Sequence, residues 1–353
     1  MHRRWANRRA FLGRASLALM GCPAALSAAP KTSAEDASGA GDLLTRRARE
    51  AIGKGLEYLA SRQNADGSFG GGGYSRNVAI CGLCGMAFLA NGHAPGRGKH
   101  GAHVQQCLEM VLRNVQESGF INAPEAAGRG PMYGHGFATL FLAEVYGMSR
   151  DARVRETLAK AVRLIVNTQN AEGGWRYEPR PHDADISVTV CQVMALRAAR
   201  NAGLYVPHET IRRSVEYVKR CQNPDGGFMY QASGPRESLF PRSAAALVAL
   251  YSAGIYEGEE IRKGLEYLMR HSPAANAEGE QSYYYYGHYY AVQAAWHAGG
   301  KYWQSWYPAI RDILLGLQRE DGSWYDSISP EYGTAMAVLI LHMPSNYLPI
   351  FQR

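Results

Sequence analysis

Residues 169–175 read QNAEGGW, and the same phrase recurs along the chain: QNADGSF at 63–69, QESGF at 116–120, QNPDGGF at 222–228 and QREDGSW at 318–324. Gln63, Gln116, Gln169 and Gln222 follow one another at intervals of 53 residues. A sixth, degenerate copy, SPAANAEGEQSY, follows IRKGLEYLMRH, which matches the IRRSVEYVKRC ahead of Gln222 and puts Ser272 in the glutamine's place. Self-similarity at a fixed period is the mark of a repeat architecture, in which one supersecondary unit recurs because it cannot bury its apolar face alone.

Each unit predicts two helices around the loop. Four residues before the glutamine or its equivalent stand Leu59, Leu112, Ile165, Val218, Leu268 and Leu314, within amphipathic stretches whose other face carries Arg and Lys. That pattern suits helices with one face on a core and one in water. After each loop comes a second segment with little charge on any face, such as NVAICGLCGMAFLANG, SAAALVALYSAG or EYGTAMAVLILHM. Such a helix is buried all round. Six pairs of one amphipathic and one buried helix predict an all-α closed double ring, an (α/α)6 toroid. An open solenoid would end in polar capping repeats, and the last unit here is as apolar as the rest.

The totals fit this reading. The chain has 353 residues and 46% apolar content, enough for a large core. Its net charge of +7 is concentrated at the start, MHRRWANRRAFLGRASLALMGCPAALSAAP, a basic stretch followed by a short apolar run and small residues. This reads as a signal peptide over 1–29, followed by a flexible linker over 30–45 and the toroid over 46–353. Asn7-Arg8-Arg9-Ala10-Phe11-Leu12 is similar to a twin-arginine signal, which exports folded proteins to the periplasm or outer face of a bacterial inner membrane. Leu19-Met20-Gly21-Cys22 resembles a lipobox, which would tether the protein through a lipid on Cys22. Cleavage near Ser27 removes five arginines and no acid, so +7 falls to +2. Nucleic acid is not an expected partner. Five cysteines remain, an odd number, and Cys81-Gly82-Leu83-Cys84 has no second such pair, so a four-sulfur zinc site is not expected.

The Q-x-x-D-G-S/G-W/F loops resemble the QW repeats of the prenyltransferase and squalene oxidase (squalene–hopene cyclase-like) superfamily, from about Ala48 to about Ile350. The resemblance implies the terpenoid cyclase/protein prenyltransferase type of toroid. It does not imply an activity, because fold and function are separable.

In such a ring the buried helices begin at one end, and their first turns can line a pocket. Those positions hold Tyr133 and His135, Asp183 and Asp185, Arg242, Tyr286 and His288, and Glu331 with Tyr332. Tyr133-Gly134-His135 and Tyr286-Gly287-His288 repeat one motif, and Tyr332-Gly333-Thr334 nearly does. Units two and five face each other in a six-membered ring, so the two histidines could meet across it. The candidates for chemistry are therefore a collar of His135, Asp185, His288 and Glu331. Candidates for ligand contact are Tyr133, Arg242, Tyr286, Tyr289, Tyr290 and Tyr332, since a tyrosine-rich face can hold an isoprenoid tail or steady a cation. The plainer alternative is that these groups cap helices and pack between neighbours.

Squalene–hopene cyclases protonate their substrate from a D-x-D-D-T-A motif followed by Ala-Leu. In the register set by Ala195-Leu196, Thr189 matches the threonine, Val188 and Ser187 fall on the paired aspartates, and only Asp185 keeps a carboxylate. Serine cannot deliver the strong acid that alkene protonation needs. Protein prenyltransferases hold zinc with an Asp-x-Cys pair and a His; no Asp-x-Cys occurs here, the spacing of His135, His288 and Asp185 gives no metal signal, and no metal or cofactor is expected. Three readings stand: an exported repeat protein holding an apolar, isoprenoid-like ligand; a scaffold that binds protein or cell-wall material; and a carbohydrate-active toroid using Asp183 or Asp185 with Glu331.

Overall fold

The computed structural model describes residues 43–352 apart from 71, 124–129 and 274–282. The expected signal peptide, Cys22 within it and nearly all of the linker lie outside the described residues. Among the described residues there are twelve α-helices and no strand: α1 (Arg46–Arg62), α2 (Val78–Ala90), α3 (Gly101–Arg113), α4 (Pro131–Tyr146), α5 (Ala152–Asn167), α6 (Ile186–Asn201), α7 (His208–Arg220), α8 (Phe240–Ser252), α9 (Glu259–Arg270), α10 (Tyr284–Ala298), α11 (Gly300–Leu317) and α12 (Pro330–His342).

Even-numbered helices form the inner ring. Each packs on the next, from α2 through α12, and α12 packs back on α2, so the ring is closed. They are buried nearly all round, as their lack of charge predicts. Odd-numbered helices form the outer ring, with ion pairs along the wet face such as Arg212–Glu216 and Arg262–Glu266. An outer helix leans chiefly on the inner helix that precedes it for α3, α5, α9 and α11, while α1 leans on α12 rather than on α2.

The repeated loop explains the regularity. The side-chain amide of Gln169 donates to Gly173 O within its own loop at 2.8 Å and to Thr210 O of the next outer helix at 2.8 Å. Gln63 and Gln222 repeat this, bonding His103 O and Glu260 O. Gln318 makes the same bond to Ala51 O of α1 at 2.8 Å, so one staple serves every junction at which it occurs, including the closing one. The loop aromatic anchors the other side: Trp175 Nε1 donates to Ile165 O and Trp324 Nε1 to Leu314 O, the carbonyl four residues before each glutamine. Gly173 has φ +98°, and a Cβ there would lie 2.2 Å from Arg213 O, so only glycine lets loop and helix meet.

The two ends of the ring differ. Chain following α12 folds across the C-terminal ends of the inner helices as two short 3-10 turns, Met343–Ser345 and Pro349–Phe351. There Trp296 Nε1 donates to Phe351 O at 3.0 Å, Ile350 N donates to Glu144 Oε1 at 3.2 Å, and the Phe351 ring lies against Tyr289. The opposite end carries the cavity.

Candidate functional site

The first turns of all six inner helices meet at a cup of about 710 Å³, within the range of roughly 300–1,000 Å³ for small-molecule sites. Ala79, Tyr133, Ser187, Pro241, Tyr286 and Tyr332 occupy equivalent places in the six units, and all six line it. A second tier comes from the loops, where Asn122, Tyr177 and Tyr230 each stand two residues beyond the loop aromatic. Tyr74, Leu239, Tyr283 and Ile328 complete the mouth. Burial raises the phenols of Tyr133, Tyr286 and Tyr332 well above their ordinary range, so their hydroxyls stay protonated and available as donors. A shallower concavity of about 610 Å³ between the loops after α2 and α4, at the other end, includes none of the expected site residues.

Of the ten site residues expected from sequence, four line the cup: Tyr133, Arg242, Tyr286 and Tyr332. The histidines do not. Successive helical residues turn by 100°, so positions i and i+2 point to nearly opposite sides, and in Tyr-Gly-His an inward tyrosine sends the histidine into the wall. His135 accepts from Ile121 N through Nδ1 at 3.1 Å, with Nε2 beside Ala161 O at 3.3 Å, and is fully buried. Its equivalents do the same work with shorter side chains: Thr189 Oγ1 accepts from Trp175 N, Ser243 Oγ from Phe228 N and Thr334 Oγ1 from Trp324 N. His288, at the same place in unit five, packs among Phe240, Tyr284 and Trp306. The two histidines therefore do not meet across the ring. Desolvation pushes His135 down to about 4 and His288 to about 3, so both are neutral at ordinary pH.

The carboxylates are also held in the wall. Asp185 caps α6, its Oδ1 accepting from Val188 N at 2.8 Å, as carboxylates at helix starts do. It is fully buried, with Arg176 Nε 3.7 Å from Oδ2. Burial raises it to about 6, against the pull of the Val188 amide, Arg176 and the Tyr230 hydroxyl. Asp183, expected to share the cap, instead pairs with Arg176 at 2.7 Å. Glu331 accepts from Arg62 Nε at 3.3 Å, tying α12 to α1. The expected collar of His135, Asp185, His288 and Glu331 is thus four wall residues that do not converge.

Tyr289 and Tyr290 lie below the cup rather than around it. Tyr286 OH donates to Ser187 O at 3.4 Å and Tyr290 OH lies 3.5 Å from Cys191 Sγ, so both reach from α10 to α6. They close the interior beneath the cup together with Phe137, whose ring packs on Tyr289. Tyr289 faces the C-terminal turn. Sequence reading missed Tyr74, Tyr177 and Tyr230. The latter two were signalled by their shared offset from the loop aromatic, the offset that also gives Asn122.

With six helix starts meeting at one cup and repeated loop staples, the geometry can be set beside known proteins. Residues 136–302 match the squalene-hopene cyclase C-terminal domain family. Over that stretch, a little under half of the chain, the sequence resembles squalene–hopene cyclases. A drimenyl diphosphate synthase of Streptantibioticus cattleyicolor is 29% identical over 215 residues, 58% of this chain and 37% of that one. A lanosterol synthase of Candida albicans is 25% identical over 140 residues, 37% of this chain and 18% of that one. The matched regions thus span well under half the length of these curated relatives. In fold, a type II terpene cyclase from Scytonema, solved with merosterolic acid A, gives a TM-score of 0.60 at 14% identity, covering 86% of this chain and 99% of that one. An α-1,6-mannanase of Salegentibacter gives 0.60 at 9% identity, covering 84% and 98%. This squalene–hopene cyclase-like toroid departs from the acid motif in its site: Ser187, at the place of the central aspartate, lines the cup, while Asp185 sits behind it in the wall.

Proposed function

We propose that this toroid holds an apolar, isoprenoid-like molecule in the cup, and does so without the alkene protonation of squalene–hopene cyclases. The observation that carries the reading is the lining itself. Val78, Ala79, Ile80, Phe137, Leu239 and Ile328 give apolar wall, and tyrosines present ring faces with protonated hydroxyls. Amphipathic rings of this kind suit a hydrocarbon chain with a polar end. No carboxylate lines the cup among the described residues, so the proton donor of the cyclase reaction has no counterpart there. The same absence weighs against sugar hydrolysis, which needs two carboxylates flanking a cleft. No tryptophan lines the cup either among the described residues. The export expected from the opening segment belongs to the same proposal: the ligand is met outside the cytoplasm.

The test is binding of farnesol and geranylgeraniol to the purified protein, followed by tyrosine and tryptophan fluorescence, with native mass spectrometry of protein isolated from its source. Saturable binding, lost when Tyr133→Ala and Tyr286→Ala are combined, supports the proposal. Absence of binding to either alcohol and to their acidic derivatives, alongside release of sugar from α-linked polysaccharides, would replace it with the carbohydrate-active reading. Cell fractionation with N-terminal sequencing tests export.

A further inference from the structure

We propose that the molecule in the cup carries an acidic head group, a carboxylate or a phosphate, and that Arg242 reads it; this rests on the reading that the cup holds an isoprenoid-like chain. Among the described lining residues Arg242 is the one charged side chain. Its Nη2 donates to Glu237 O at 2.9 Å and to Glu237 Oε2 at 3.0 Å. Its Nε is buried and has no hydrogen-bond partner. A guanidinium has five N–H donors in a planar fork, matched to a carboxylate or phosphate, and a buried donor without an acceptor is costly.

The surroundings hold the guanidinium in place. Two guanidinium groups approach the Tyr230 ring, with Arg242 Cζ 5.9 Å and Arg176 Cζ 5.7 Å from its centroid. Tyr230 is fixed further by a hydroxyl–hydroxyl bond to Tyr177. Arg176 is committed to Asp183 and Asp185, which leaves Arg242 as the cation facing the cup. The inner helices all begin here, and helix starts carry partial positive charge that adds to the preference for an anion. Across the ring from α8 stands α2, whose first turn contributes Val78, Ala79 and Ile80, with Asn77 and Tyr74 just ahead of it. The cup therefore has its one cation and several hydroxyls on the α6–α8 side and faces them with the apolar first turn of α2, edged by Asn77 and Tyr74, a pattern suited to an amphipathic acid. Glu237 is 69% exposed, so an incoming anion can displace it from Arg242 at little cost.

The experiment compares three ligands of one chain length against the full protein: farnesol, farnesoic acid and farnesyl monophosphate. At least one acid is expected to bind ten-fold or more tighter than farnesol, and which one leads tells carboxylate from phosphate. Arg242→Gln should bring the ratio of acid to alcohol close to one. Glu237→Gln, a surface change that leaves packing intact, should strengthen the acid several-fold, because the competing carboxylate is gone. Thermal unfolding of each variant separates lost binding from lost fold. Equal affinity for all three ligands overturns the head-group inference and leaves the isoprenoid reading standing. Failure of all three to bind overturns both.

Discussion

Glu144 offers a test of how the closed end of the toroid is held. It sits in the last turns of α4, 4% exposed, with Oε1 accepting from Ile350 N of the C-terminal segment and Oε2 without a hydrogen-bond partner. Burial raises its carboxyl from the ordinary 4.5 to about 8, partly opposed by the Ile350 amide, so it is protonated at neutral pH. In the unfolded chain the group ionises at the ordinary value. Between these two pH values the folded state holds a proton that the unfolded state has lost, so stability falls as pH rises. The loss is about 1.4 kcal/mol per pH unit, reaching about 3 kcal/mol at pH 7 and about 4 kcal/mol at pH 8, and it levels off near 5 kcal/mol above that. Glu144→Gln has the same shape and no charge to bury. It should match the native protein at pH 4.5–5 and exceed it progressively toward pH 8, by several kcal/mol. Chemical denaturation of both proteins at pH 5, 6, 7 and 8 gives the difference curve directly. The buried histidines titrate in both proteins and cancel. Parallel curves would refute the reasoning, showing that the Glu144 carboxyl reaches water in the native state. Carboxypeptidase digestion supplies a second readout: the native C-terminus should become more accessible above pH 8, and that of the variant should not.

The other expectations follow from single contacts. His135→Ala leaves the buried Ile121 amide without an acceptor and should cost about 1–3 kcal/mol, while farnesol affinity measured by fluorescence stays the same; a large loss of affinity at full stability would return His135 to the site. Because His135 is held at about 4, its contribution is present above pH 6.5 and is lost as pH falls toward 4, so the variant should lose less stability on acidification than the native protein in urea titrations. Tyr290→Ala removes the floor beneath the cup, at a cost of about 3–5 kcal/mol, and should shift preference from a farnesyl to a geranylgeranyl chain; unchanged chain-length preference would show that the floor lies elsewhere. Gly173→Ala forces a Cβ against Arg213 O at a positive φ and should lower the melting temperature more than Gly53→Ala, which has open space around it.

The toroid was legible because its determinants are periodic. The 53-residue spacing of the first four loops, the six buried even-numbered helices and the Gln–Gly–aromatic loop all describe the same junction, and its repetition leaves little choice of fold. The site was only half legible, and the reason is angular. Tyr-Gly-His and Tyr-Gly-Thr could be read as a motif with two functional members, but two residues along a helix is more than half a turn. Aligned with His135, Thr189, Ser243 and Thr334 mark a shared wall position, where a short hydroxyl side chain reaches the backbone of its own loop rather than a ligand. Asp185 and Glu331 misled for a related reason: a carboxylate at a helix start satisfies backbone donors or a neighbouring arginine, and sequence does not say which way it turns. Tyr177 and Tyr230 lay in a loop, where no helical period points inward.

The staple between Gln318 and Ala51 has a consequence for how such a protein can change. A solenoid has two ends, and a unit added or dropped there disturbs one interface. Here the closing junction carries the same staple as those at Gln63, Gln169 and Gln222, so the repeats form a cycle with no terminal member. The protein is free to alter what each first turn presents to the cup, one residue at a time, whereas adding or dropping a unit would have to open the ring and rebuild the interfaces on both sides of the change.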